Sequence, residues 1–422
     1  MAKYHIRTYG CTLNQADSDI IKGMLHSAGH TEAESEADAD VLIVNSCQVK
    51  SSTETKILNK LAALNLTSKP IILAGCLSIN EKAVRKKAPK ATIVGTSSIK
   101  YINDAVEDAL TFGAGTFRSF ASKENLPKNQ PIGPISRVPI NDGCLSACTF
   151  CVTKLARPKL ASYTLKGVVR EVEIALQHGA KEIQLTSMDS GAYGRDIKTD
   201  LVDLLGELAS LPGDFRIRLG MINPQHIKRL GLERFLSSFK SKKMYKFLHL
   251  PVQSGSERVL GLMKRGHTVK DFERLAGAFR ELYPEGMLST DIIVGFPGET
   301  DEDFEETTKL LHKWKFDILN LSKFTPRPGT AAKKMKQVPN GVIKQRSVIA
   351  TRILRKYMKE RNEACIGKIY NVLVTEKQST LTGRNDDYRM ISLPKNAKFN
   401  LGERVKAEVA GALYSCCIAK IL

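Results

Sequence analysis

Three cysteines fall within eight residues in Asn141-Asp-Gly-Cys144-Leu-Ser-Ala-Cys148-Thr-Phe-Cys151. Thiolates at CxxxCxxC spacing on one loop can converge on a single soft metal centre. They supply one ligand fewer than a four-cysteine iron–sulfur cluster uses. A three-ligand cluster leaves one iron open to bind something else, which suits catalysis better than electron storage. Structural zinc sites instead pair their cysteines as CxxC twice over, or add histidines. No second CxxC exists in the chain, and no histidine lies within twenty residues of this loop. The spacing therefore favours an iron–sulfur cluster over zinc.

A second triplet is scattered in sequence but alike in context. Cys11, Cys47 and Cys76 each follow a short strand-like run, in Tyr9-Gly-Cys11, Asn45-Ser-Cys47 and Gly75-Cys76. The carboxyl ends of parallel strands lie along one sheet edge, where open α/β sheets bind ligands, so three cysteines placed there can meet. Taken singly, each would pass as a small buried residue. Their repeated placement favours a second three-ligand cluster. Cys365, Cys416 and Cys417 have no such context and are expected to be packing residues.

The elements that must position these cysteines follow from periodicity. Strand-like runs at 4–9, 41–45, 71–74 and 92–94 alternate with helical patterns such as 16–28 and 52–64, which implies a parallel sheet with crossover helices. Residues 113–134 are rich in Gly, Ser, Pro and Lys and read as a linker. Six further strand-like runs follow, at 137–141, 182–186, 216–221, 247–252, 290–296 and 317–324. Helical stretches near 163–178, 200–211, 225–238, 257–282 and 303–313 separate them. Six βα units in series fit either a partial barrel or a doubly wound sheet, and pattern alone does not choose. Three loops after these strands carry polar residues that a barrel would turn toward its active site: 185–194, 249–256 and 291–299. Ser254 to Ser256 also reads as a helix N-cap, which leaves the Gln253 side chain as the stronger ligand candidate. A basic amphipathic helix is expected over 342–363. Strand-like runs at 369–375, 388–393, 404–409 and 415–422 suggest a small closing β domain.

Composition narrows the partner. The chain has 422 residues, 42% hydrophobic and 26% charged, enough for a large core. Sixty-four Lys and Arg against 44 Asp and Glu give +20. Residues 333–422 hold 19 of the basic and 7 of the acidic residues, a balance of +12. That concentration in a small β domain points to RNA, bound through backbone and shape more than base readout because aromatics there are few. No apolar run approaches the ~20 residues of a membrane span, and MAKYHIRTYGC lacks the apolar core of a secretory signal, so a cytoplasmic protein is expected. GxxxxGK[ST], HExxH and GxSxG are absent.

Cys144, Cys148 and Cys151, with Phe150 before the last, resemble the signature of radical S-adenosylmethionine (SAM) enzymes. With Cys11, Cys47 and Cys76 in front and a basic β domain behind that looks like a TRAM domain, the chain resembles the methylthiotransferases along nearly its whole length. Ser187–Arg195 (SMDSGAYGR), Gly220-Met-Ile-Asn-Pro224, Leu250-Pro-Val-Gln-Ser-Gly255 and Val294-Gly-Phe-Pro-Gly-Glu-Thr300 are similar to the archaeal and eukaryotic branch, which acts on threonylcarbamoyladenosine at position 37 of tRNA. Arg157-Pro-Lys-Leu-Ala-Ser162 departs from many bacterial relatives, which carry a Gly and a second Arg there.

The resemblance implies an α/β fold in four segments. These are a flavodoxin-like sheet at 1–112, a linker at 113–134, a partial (β/α)6 radical SAM barrel at 135–360 and a TRAM-like barrel at 361–422. It implies two [4Fe–4S] clusters, on Cys144, Cys148 and Cys151 and on Cys11, Cys47 and Cys76. The first would cleave SAM reductively and the second would carry the sulfur. Phe150, Ser187, Asp189, Gln253 and Ser254 are the implied SAM-binding residues. The implied substrate is the anticodon stem-loop of ANN-decoding tRNAs, with ferredoxin or flavodoxin as electron donor and a monomeric enzyme. Alternatives are a methylthiotransferase for isopentenyladenosine or a ribosomal protein, a single-cluster radical SAM RNA methylase, and a non-catalytic iron–sulfur RNA-binding or electron-transfer protein.

Overall fold

A computed structural model describes residues 1–130 and 133–422. The first module is a six-stranded parallel sheet of β1 (Lys3–Thr8), β2 (Thr31–Glu32), β3 (Val41–Ser46), β4 (Ile71–Gly75), β5 (Thr92–Val94) and β6 (Thr116–Phe117). Its order is β2-β1-β3-β4-β5-β6, and it is parallel throughout. All residues of β3 and β4 are buried because helices cover both faces. Alternate residues feed two cores. Ile43, Ile72 and Val94 join the Thr12–Ser27 and Ile102–Thr111 helices on one face. Leu42, Val44 and Leu73 join the Ser51–Asn65 and Glu81–Lys87 helices on the other. The strand order reverses between β1 and β3, the point in a doubly wound sheet where ligands bind.

The segment expected to be a linker begins with a structural element, since β6 pairs with β5. Two residues next to Gly115 are too short a strand for periodicity to register. Pro131 and Ile132, also in that segment, lie outside the described residues.

The central module contains β7 (Ile135–Pro139), β8 (Asn141–Asp142), β9 (Ala161–Ser162), β10 (Glu182–Thr186), β11 (Arg216–Arg218), β12 (Phe247–His249), β13 (Met287–Val294) and β14 (Ile318–Lys323). β7, β10 and β11 form one parallel ladder and β12, β13 and β14 another. A bridge from Ile217 to Met244 joins them. Six parallel strands thus follow in sequence order as an open arc, an incomplete barrel rather than a doubly wound sheet. The antiparallel β8–β9 pair brackets the cysteine loop.

Two expected helices are broken. Residues 225–238 split at Gly231, which takes φ 76°. Residues 257–282 split into Glu257–Met263 and Val269–Leu282. Lys264 turns left-handed there, and Thr268 with Asp271 forms a capping box that restarts the helix.

The Asn340–Glu363 helix leads into a closed barrel of β15 (Ile369–Lys377), β16 (Leu381–Arg384), β17 (Met390–Ser392), β18 (Arg404–Ala412) and β19 (Cys417–Ile421). This barrel docks against the amino ends of the central strands. Tyr388 packs on Phe247 and Tyr245, with ring centroids 4.7 and 4.9 Å apart. Asp317, just before β14, receives Arg280, Arg361 and Arg389 at 2.5, 2.8 and 3.1 Å. Burial raises the Asp317 carboxyl pKa, but the three guanidinium groups outweigh it and hold the group below its ordinary value. Its stabilisation is therefore complete above the unfolded carboxyl value of about 3.9 and is lost as pH falls through the lower folded value. Asp317→Ala leaves three guanidinium groups around a buried void. It is expected to cost about 3–5 kcal/mol in urea unfolding at pH 7, and a loss under about 1 kcal/mol would contradict this clamp.

Candidate active site

The first triad is assembled at the sheet's reversal point. Cys11 follows β1 and caps the Thr12–Ser27 helix, while Cys47 follows β3 and Cys76 follows β4. Gly10 has φ +109°, and a Cβ on it would stand 2.9 Å from Cys47 Sγ, so glycine lets the two turns close together. One side chain organises all three. Asn14 Nδ2 donates to Tyr9 O at 3.0 Å and to Ser46 O at 2.7 Å, and its Oδ1 lies 3.8 Å from Cys76 Sγ. Burial pushes the Cys76 thiol up to about 12, and raises Cys47 as well.

Behind this triad lies a buried charge network that joins the two modules. Arg157, 2% exposed, donates to the carboxylates of Asp17 and Asp142 and to Asn14 Oδ1 at 3.3 Å. Lys123 bridges the same two carboxylates, each at 2.6 Å. Two cations and two anions balance, as full burial requires.

The second triad occupies the loop between β8 and β9. Ser146 N donates to Cys144 Sγ at 3.3 Å, and Arg265 Nη1 reaches Cys148 Sγ at 3.2 Å while its Nη2 donates to Pro251 O at 2.8 Å. Burial pushes the Cys151 thiol up to about 11. The two triads adjoin. Leu13, two residues after Cys11, packs in one buried cluster with Cys144, Met188 and Cys151.

The other expected site residues divide. Asp189 is oriented toward the cysteine loop. Its Oδ2 takes His226 Nε2 at 2.9 Å and lies 3.9 Å from Cys144 Sγ, and its Oδ1 accepts from Asn223 N at 3.1 Å. Gln253 is nearly buried and takes φ +80°, a conformation rarely held by a non-glycine residue away from functional sites. Ser187 bonds Ser190 Oγ at 3.0 Å. Ser254 is fully buried and faces Thr307 at 3.3 Å, so its hydroxyl serves the turn. Phe150 packs edge-on to Phe296 at 6.2 Å, in the cluster around Val259 and Met263.

Sequence reasoning did not single out Asn14, His226, Arg265 or His267. Arg265 and His267 reach the site through the helix break at Lys264. His267 Nδ1 bonds Asn223 Oδ1 at 2.9 Å, and burial with the nearby Arg265 charge lowers its pKa to about 3, so it is neutral at pH 7. His249 and Asn320 both bond Asp291 Oδ1, at 2.9 and 2.8 Å, across β12, β13 and β14.

Among the described residues, no three His, Cys, Asp or Glu side chains stand close enough to share one metal ion. A four-iron cluster separates its cysteines farther than one ion does, and an all-thiol donor set is what such a cluster takes. Buried polar atoms without protein partners also flank both triads: Asn45 Oδ1 and Gln48 Oε1 near Cys47, and Arg265 Nε near Cys148. The residues present fit two clusters.

Residues 3–95 match the uncharacterized protein family UPF0004, residues 138–311 the radical SAM superfamily and residues 363–412 the TRAM domain. The chain is 39% identical to the "Probable threonylcarbamoyladenosine tRNA methylthiotransferase" of Pyrococcus horikoshii, over 100% of both chains. The chain belongs to the threonylcarbamoyladenosine tRNA methylthiotransferase family. Its likeness to the Homo sapiens member is 38%, over 96% of this chain and 72% of that one. The radical SAM methyltransferase TsrM of Kitasatospora setae shares the fold, with TM-score 0.55 and 13% identity over 78% of this chain and 75% of that one. The cobalamin-dependent radical enzyme OxsB does so with TM-score 0.54 and 10% identity, over 84% and 56%. For this family member, the superfamily match implies SAM and a [4Fe–4S] cluster. No helix among the described residues is long and apolar enough to cross a membrane.

Proposed function

We propose that this chain inserts a methylthio group at carbon 2 of N6-threonylcarbamoyladenosine 37 in tRNA. The observation that supports this reading is the packing of Leu13, two residues after Cys11, in one cluster with Cys144 and Met188, against which Cys151 also packs. Cys144, Cys148 and Cys151 would hold one [4Fe–4S] cluster, and Cys11, Cys47 and Cys76 a second. When bound, the first would supply reductive cleavage of SAM and the second would supply the sulfur. An aromatic C–H is a poor target for acid–base chemistry, so cofactors must bring the reactivity.

The chain's own residues then hold and insulate. Arg265 sets a positive charge on the Cys148 sulfur, and Asn14 fixes the turns that carry Cys11 and Cys47. Asp189, held by His226, and Gln253 at its left-handed backbone angle would take the polar groups of SAM. Leu13 and Met188 would exclude water beside Cys144. The four segments 1–112, 113–134, 135–360 and 361–422 divide the labour as sulfur site, connector, radical site and RNA grip. We further read the substrate as the anticodon stem-loop of ANN-decoding tRNA, the reductant as a ferredoxin or flavodoxin, the compartment as the cytoplasm and the enzyme as a monomer.

The test is nucleoside mass analysis after the reduced, reconstituted protein acts on tRNA with SAM. Methylthio product is expected from threonylcarbamoylated tRNA and not from isopentenylated or unmodified tRNA. Product from isopentenylated tRNA, or a methyl without sulfur, would overturn the assignment.

A further inference from the structure

We propose that the outer face of the Asn340–Glu363 helix is a phosphate track that carries RNA along the flank of the central barrel. This rests on the reading of the chain as a tRNA-modifying enzyme. The small barrel docks at the amino ends of the central strands, through Asp317 and Tyr388. The cysteine loops lie at the carboxyl ends of the strands. An RNA that engages both must pass along the side of the molecule.

This helix runs that distance. Its 24 residues span about 36 Å at 1.5 Å per residue. Near its start, Arg346 bonds Glu299 at 2.6 Å in the loop after β13. Near its end, Asn362 donates to Leu413 O at 2.8 Å in the small barrel. Lys344, Val348, Arg352, Arg355 and Lys359 are all exposed, and steps of four, four, three and four residues keep them within about a quarter of the helix circumference.

The stripe is continuous at both ends. At the small barrel, the Arg355 guanidinium lies over the Tyr414 ring at 5.2 Å, and that ring is 46% exposed. At the catalytic end, exposed Lys333, Lys334 and Lys336 follow a chain segment tied to the cysteine loop, where Ala332 N donates to Thr149 O at 2.9 Å. Lys356 and Lys359 face Glu360 and Glu363 at 4.0 and 3.4 Å. Among the described residues, no carboxylate pairs with Lys344, Arg352 or Arg355. Three unpaired cations in single file, Lys344, Arg352 and Arg355, interleaved with Val348 and ending on an arginine-stacked tyrosine, suit backbone phosphates and base faces better than a folded acidic protein.

The experiment compares full-length wild type with a Lys344→Ala/Arg352→Ala/Arg355→Ala variant in tRNA binding from 50 to 200 mM salt. Loss of three phosphate contacts should flatten the slope of log K against log salt by about 2.1–2.7. Wild type would then lose about 20- to 40-fold more affinity than the variant over that range. SAM cleavage driven by dithionite without tRNA should be unchanged, and Arg352→Lys/Arg355→Lys should keep the wild-type slope. An unchanged slope in the triple variant overturns the track alone. So does intact tRNA binding with slower cleavage when a flavodoxin-type protein is the reductant, which would assign the stripe to an acidic redox partner. Absence of salt-dependent tRNA binding by the wild type overturns both the track and the tRNA reading.

Discussion

A Cys11→Ala/Cys47→Ala/Cys76→Ala variant is expected to cleave SAM under reduction at near wild-type rates while forming no methylthio product. The expected separation follows from where the sulfurs lie. All three are on turns of the first module, organised by Asn14, whereas Cys144, Cys148 and Cys151 sit on a loop of the central module with Arg265 beneath. Removing the first set leaves Leu13, which packs in the cluster of Cys144, unchanged. The complementary Cys148→Ala variant should lose both activities, because sulfur transfer depends on SAM cleavage and not the reverse. Quantifying 5′-deoxyadenosine and modified nucleoside in the same reaction decides the matter. Loss of SAM cleavage in the first variant would contradict the division between the two triads.

Arg157→Leu should lower both stability and the integrity of the first triad. Its guanidinium is buried against Asp17 and Asp142, and Lys123 alone cannot balance both carboxylates. Burial raises the Asp142 carboxyl pKa, but Lys123 and Arg157 outweigh it and hold it below its ordinary value, so the group stays charged at neutral pH. Breaking a buried network on one side typically costs about 3–5 kcal/mol. Because Arg157 also touches Asn14, the loss should reach the first triad and lower its iron occupancy. Adding Asp17→Asn to Arg157→Leu restores the charge balance, so the double variant should recover part of the stability in chemical unfolding. Equal stability of wild type and Arg157→Leu would show that packing, and not this network, holds the modules together.

The placement of Cys11, Cys47 and Cys76 after β1, β3 and β4 was legible because short apolar runs mark the strands that end just before them. The parallel sheet and the six βα units were legible for the same periodic reason. What pattern did not reach depends on interruptions and on pairing across distance. Arg265 and His267 lie in what reads as one long helix, and only the left-handed turn at Lys264 delivers them to the site. Leu13 and Asn14 look like ordinary first-turn residues until the sheet brings Ser46 and the cysteine loop to them. Lys123 sits in a stretch that reads as linker, yet it is 3% exposed because two carboxylates from different modules close over it. Ser254 shows the opposite failure, since a polar residue at a strand end turned inward to Thr307. β6 has only two residues, and Gly383 interrupts β16, so alternation does not mark either.

Iron and sulfide content after anaerobic reconstitution bears most directly on the claim that two open clusters share one gap. Wild type should carry about eight irons and the Cys11/Cys47/Cys76→Ala variant about four. About four irons in both proteins would remove the second cluster and methylthio transfer with it.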